Sequence, residues 1–191
     1  MRKQHQEKVI HERRVFGFRI INRFKGSEEG SAAIEFGMVA LPFLMLIFAI
    51  LETAVGFFAA QVFESGVDVV GRRIRTGQVR STGASAVTAS QVRDEICSKT
   101  LGMFTCSGIK LNVKSYPTFP GTPLTTPTTA GGDLDDSAFT FDSGSSGSIV
   151  VVRAYYEWPI FLDYLWQNVS SGMSNGKRLL VATTAFQNEP F

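Results

Sequence analysis

From Phe36 to Ala60 nearly every position is apolar. Phe36 to Leu51 is a run of 16 residues without a charge, and Thr53 to Ala60 continues it after the single Glu52. Leu, Ile, Phe and Met stand at consecutive positions, so no side of a helix here is polar, as expected of a helix surrounded by lipid. As a helix, Phe36 to Ala60 is about 37 Å long, enough to cross a hydrocarbon core of roughly 30 Å. A cleaved signal peptide is the rival, because Ala59 and Ala60 imitate its cut site. Its apolar region would be only about 7–15 residues, and the helical pattern here runs on. Beyond Gln61 the apolar residues retreat to one side. Val62, Phe63, Gly66, Val69, Val70 and Ile74 recur at three- and four-residue steps, while Glu64, Asp68, Arg72 and Arg75 take much of the rest. The pattern predicts one helix from Ser31 to about Arg75, loosened or kinked by Pro42 and stopped at Thr76-Gly77.

After a loop at Ser81–Ser85, Ser90 suits an N-cap for a second helix from Gln91 to about Leu101. Ile109, Leu111 and Val113 alternate with Lys110, Asn112 and Lys114, which predicts a half-buried strand. Tyr116 to Gly147 is dominated by Pro, Thr, Gly, Ser and Asp, and is expected to be an exposed, flexible insertion. Ser148 to Trp158 and Leu179 to Gln187 predict two more strands. The fold class expected is α+β: one long N-terminal helix followed by a small antiparallel-sheet domain. The expected divisions are a basic leader at 1–30, a transmembrane helix at 31–60, a helix extension at 61–78, and an extracytoplasmic domain at 79–191 containing the 116–147 insertion.

Charge orients this plan. Eight of the 19 basic residues and four of the 17 acidic ones precede Gly30, leaving the remainder at a net −2. A basic segment directly before the span places the N-terminus in the cytoplasm and the domain on the far side. The overall charge of +2 gives no sign of a nucleic-acid partner. Both histidines, His5 and His11, lie in the first 30 residues, so the domain has no imidazole for general-base or metal chemistry. Gly144-Ser145-Ser146-Gly147 lacks nucleophile-elbow spacing, and the acidic turn Asp133, Asp135, Asp136 lacks the distal glutamate of a calcium loop. No enzymatic activity, cofactor, metal or small-molecule substrate is expected. Cys97 and Cys106 are the only cysteines. In an oxidising compartment they favour a disulfide over two buried thiols. The aromatic stretch Tyr155, Tyr156, Trp158, Phe161, Tyr164, Trp166 is either core or a surface for a partner or the membrane interface. Glu52 sits near the outer interface or contacts another helix.

The junction between leader and span carries the most specific motif. Gly30-Ser31-Ala32-Ala33-Ile34-Glu35-Phe36 places a glycine, four small or apolar residues and a glutamate before the apolar run. The far end reads Ala185-Phe186-Gln187-Asn188-Glu189-Pro190-Phe191. The first pattern is similar to the start of type IV prepilins, and both together resemble the TadE-like (TadE/TadG) pseudopilin family of the tight-adherence (Tad/Flp) pilus system. The resemblance covers about residues 26–78 and 179–191. It implies cleavage after Gly30 by a membrane-embedded prepilin peptidase, with Ser31 as the new N-terminus and Glu35 as the fifth residue of the mature chain. Glu35 would then lie one helical turn from the new ammonium, close enough to neutralise it. The expected function is that of a minor pilin or pseudopilin assisting pilus assembly or extrusion in adhesion and biofilm formation. Its expected partners are membrane lipid, the prepilin peptidase, and other Tad pilus subunits and assembly proteins. The alternative is a single-span envelope protein anchored in the inner membrane that binds a periplasmic partner.

Overall fold

The computed structural model describes residues 28–83, 86–118, 125–161, 173 and 175–191. The basic segment before Glu28, and Tyr164 and Trp166, lie outside the described residues.

One helix, α1, spans Glu28–Arg75 and passes through Pro42 without a break in its assignment. Its stretch Gly30–Arg75 is long and apolar enough to cross a membrane. The chain divides into two compact units, Met1–Ile50 and Leu51–Phe191. In the first unit the large apolar side chains of α1 are exposed on every side. Ile34, Phe36, Met38, Val39, Leu41, Phe43 and Leu44 are all more than half exposed. Such a surface is stable only in an apolar medium or against other apolar surfaces.

The second unit begins with the remaining turns of α1. Here burial follows one stripe: Ala59, Phe63, Val67, Val70 and Ile74 are buried, spaced four, four, three and four residues apart as one helix face requires. The stripe differs from the expected one. Val67 and Ala59 join it, and Val69 lies outside it and is exposed. Gly66 belongs to a neighbouring row, where the second helix passes.

That helix, α2, spans Ala89–Ser98 and buries Val92, Ile96 and Cys97. Its N-cap is Thr88 rather than Ser90. The Gln91 N–H donates to Thr88 Oγ1 at 3.3 Å, while the Thr88 N–H donates to Gln91 Oε1 at 2.8 Å. This reciprocal pair satisfies two donors at once, which Ser90 is placed too late to do. A methyl group at Gly66 would meet the Ile96 carbonyl oxygen at 3.3 Å, so the glycine permits the close crossing. Arg73 and Glu95 form an ion pair between the two helices.

Three strands follow: β1 at Lys110–Tyr116, β2 at Ile149–Pro159 and β3 at Lys177–Gln187, in the order β1-β2-β3. Both pairings are antiparallel, with Val113 opposite Val152 and Ala154 opposite Ala182. Val150, Val152 and Ala154 share one face of β2 and join the stripe of α1 in a single core. The other face is also covered. Ile149, Val151 and Tyr155 are buried there, and the Phe139 ring stacks on Tyr155 with centroids 5.1 Å apart. This explains the unbroken run Ile149–Val152, since a strand covered on both faces has no polar side.

Residues 125–147 are mostly exposed, as expected of the insertion, but they are tied to β1 by the backbone. The Val113 N–H donates to the Thr140 carbonyl at 2.7 Å and the Asp142 N–H donates to the Val113 carbonyl at 2.9 Å. Tyr116 belongs to β1 itself. The low-complexity composition hid these contacts because only Phe139 and Phe141 supply apolar anchors. Within the acidic turn, Asp136 pairs with Lys110 at 2.6 Å. Asp135 accepts from the Ser137 hydroxyl and N–H, which lower its pKa.

Cys97 and Cys106 are joined in a disulfide with Cα atoms 5.4 Å apart. The closed loop holds Phe104, whose ring lies 5.1 Å from Phe63, 4.7 Å from Tyr156 and 5.5 Å from Trp158. Replacing both cysteines by serine is expected to lower stability by about 2–3 kcal/mol, seen as a lower thermal transition in detergent. An unchanged transition would show that the bridge adds nothing.

The Tyr155 hydroxyl is buried with no hydrogen-bond partner among the described residues. Burial raises its pKa above the usual 10.0, opposed by the nearby Arg153 charge. The folded chain holds this proton where the unfolded chain releases it. Stability is therefore full below about pH 10 and falls as pH rises through the raised value. Tyr155→Phe should flatten that alkaline fall, measured by denaturant unfolding across pH 9 to 11.5, about the range in which tyrosines titrate.

Candidate functional site

Two places in the described chain carry the motifs: the start of α1 and its end.

At the start, Gly30 lies in the first turn of α1, where backbone N–H groups lack intrahelical partners. Glycine weakens the helix at that point, so the turn opens more readily there than elsewhere. Ser31 Oγ donates to Glu35 Oε1 at 3.0 Å. The Glu35 side chain therefore points back along the helix to Ser31, within one turn of any charge placed there. A carboxylate in this turn also complements the positive end of the helix dipole.

At the other end, the closing segment is a clasp. Arg73 and Ile74 carbonyls accept from the Gln78 and Gly77 N–H groups, both at 2.9 Å. Gly77 has φ +72°, the left-handed turn that ends helices and favours glycine. The Glu189 N–H donates to the Arg75 carbonyl at 3.0 Å, and Glu189 pairs with Arg75 at 3.2 Å. One more open carbonyl of the last turn is thereby satisfied. The Phe191 ring covers Gly77 so closely that a Cβ there would lie 2.6 Å from it. The Arg80 guanidinium stacks over the same ring, 4.4 Å from its centre. Phe186 and Thr184 press on Gly71, where a Cβ would meet Thr184 at 2.7 Å.

Asn188 is the centre of the clasp and is 3% exposed. Its Nδ2 donates to the Ser143 carbonyl at 2.9 Å and the Ser145 carbonyl at 3.1 Å. Its N–H donates to the Ser148 carbonyl at 2.9 Å. Gly144-Ser145-Ser146-Gly147 is the turn that presents these carbonyls, with both glycines at positive φ. Those serines thus belong to a structural turn. The resemblance marks this ending but does not show this role, because its partners lie 40 or more residues away.

Among the described residues no group of His, Cys, Asp and Glu side chains is arranged to hold a metal ion. A surface groove of about 570 Å³ runs beside α1, lined by Gln61, Glu64, Asp68, Val69 and Arg72 among others. It mixes both charge signs and converges no donor set on one point.

Asn188 gives a directional test of the clasp. Asn188→Ala removes two donors and takes from the buried Ser143 carbonyl its side-chain partner, while the Ser145 carbonyl keeps the Ser148 N–H and hydroxyl, for an expected loss of about 1–3 kcal/mol. Asn188→Asp should cost more, because it sets acceptor oxygens against those carbonyls. Near-UV circular dichroism during thermal unfolding reads both. Equal stability of the two variants would contradict the donor role.

Comparison with known proteins adds the family. No curated protein and no solved structure matches the chain significantly. Residues 30–72, which begin at the helix-start glycine and run through α1 to its last turn, match the family model described as TadE-like protein, and over that segment the chain is similar to that family.

Proposed function

We propose that this protein is a minor pilin or pseudopilin of a Tad-type pilus that assists pilus assembly or extrusion in adhesion and biofilm formation. The TadE-like match supports association with the Tad pilus system. The observation that carries the finer reading is the start of α1: Glu35 directed back at Ser31, four residues earlier, immediately before the exposed apolar run. A prepilin-type peptidase would cut after Gly30, and the first turn of α1 would open to admit the strand. The new Ser31 ammonium would then lie within reach of Glu35 in its own chain or in a neighbour.

The mechanism is structural rather than chemical. The lower part of α1 offers apolar packing to lipid or to other subunits, and the domain offers specific surfaces. The basic segment before Glu28 orients the chain, with the N-terminus in the cytoplasm and the domain in the periplasm.

The mature N-terminus tests this reading. Mass spectrometry of protein from cells that contain the peptidase should find a chain starting at Ser31, and Gly30→Val should abolish the cut. Glu35→Ala should insert in the membrane and fold, because removing a charge makes the span more apolar, yet fail to support pilus production. A wild-type chain that keeps Met1, or a fully functional Glu35→Ala, would favour the simple envelope anchor.

A further inference from the structure

Glu52 interrupts the apolar run of α1, and its carboxylate accepts a hydrogen bond from the Phe161 N–H, which closes the strand β2 at Pro159-Ile160-Phe161. The end of β2 is therefore fixed beside α1 at the level of Glu52. The helix positions flanking that level remain exposed and apolar: Leu51, Val55, Phe57 and Phe58 are each at least half exposed. Phe161 itself is 76% exposed. Whatever surrounds the helix at that level must also surround the end of β2.

A second contact lies about 7.5 Å further along α1. Arg178, at the start of β3, holds its guanidinium 5.3 Å from the centre of the Phe57 ring, and the residue is exposed. A guanidinium beside exposed aromatic rings suits the zone where acyl chains give way to phosphates. There the rings meet the chains and the fork of N–H groups meets phosphate oxygens.

From this arrangement we infer that the rim formed by Phe57, Phe58, Phe161 and Arg178 sits in the bilayer interface, so the folded domain rests on the membrane rather than standing clear of it. The inference depends on α1 spanning the bilayer, as proposed above. The occupant of the rim is phospholipid. Acyl chains cover Phe58 and Phe161, and a headgroup phosphate meets Arg178. Glu52 then serves as the clip that holds the rim at this depth, its charge met by a backbone donor where water is scarce. Two attachments, the helix and the rim, would fix the tilt of the domain above the bilayer.

Nitroxide labels on the full chain in phosphatidylethanolamine–phosphatidylglycerol nanodiscs test this. Phe161→Cys, Leu44→Cys and Ala185→Cys are labelled separately without reductant, so that the disulfide stays closed. Circular dichroism confirms folding of each. Ala185 is an exposed residue toward the far end of β3. Collision rates with oxygen and with a water-soluble nickel chelate report the surroundings. The label at 161 should show a severalfold higher oxygen-to-nickel ratio than the label at 185, approaching that at 44. Adding Glu52→Leu should release it, raising its mobility and lowering that ratio. A water-like label at 161 with a lipid-like label at 44 would overturn the rim while leaving the span intact. A label at 161 shielded from both reagents would mean a protein neighbour and would overturn it too. A water-like label at 44 would overturn the span, and the rim with it.

Discussion

The architecture depends on α1 meeting two different surroundings. Before Ile50 its apolar residues face outward on every side, and from Ala59 to Ile74 they face inward on one. The second condition fixes the domain. A helix with a single buried stripe needs a sheet face to cover it, and Val150, Val152 and Ala154 on β2, with Leu180 and Ala182 on β3, supply that face. Gly66 and Gly71 keep the contact close, one under α2 and the other under β3. The first condition leaves the earlier turns of the helix with nothing to bury against among the described residues of their own unit.

Seen this way, the two motifs that drew attention in the sequence do separate work. The glycine-to-glutamate start is where the proposed cleavage would release α1, with Glu35 already directed at Ser31. The Phe-x-Asn-Glu-Pro-Phe ending concerns how α1 stops. Asn188 ties the last strand to the 143–148 turn, Glu189 caps the Arg75 carbonyl, and Phe191 seals Gly77. The end of the chain thus fastens the domain to the helix that anchors it. Force applied along α1 would be passed into the sheet through this clasp and through the stripe.

Much of this was legible in the sequence because it follows from periodicity. The apolar run broken only by Glu52, the one-sided pattern after Gln61, and the three strands each rest on a local pattern of apolar and polar residues, and each is present at nearly the expected bounds. Details that rest on packing were not legible. Val69 fits a helical face as well as Val67 does, and only the position of the sheet decides between them. Thr88 outcompetes Ser90 as a cap because Gln91 completes the reciprocal pair, three residues on. The Pro/Thr/Gly/Ser-rich segment looked solvated, yet Phe139 covers Tyr155 and Thr140 bonds to β1. Asn188 stood in the recognised ending, but nothing local showed that it binds the 143–148 turn.

On the proposed function, the exposed early turns of α1 pack against other pilus subunits and not against lipid alone. Photo-cross-linking from single positions on those turns, Phe36, Leu44 and Phe48 in separate experiments, tests it in cells that assemble the pilus. The expected result is a covalent adduct from at least one position whose partner is identified by mass spectrometry as a Tad pilus component, and its loss in Glu35→Ala. Protein that inserts normally but yields adducts with lipid alone from all three positions would contradict the claim.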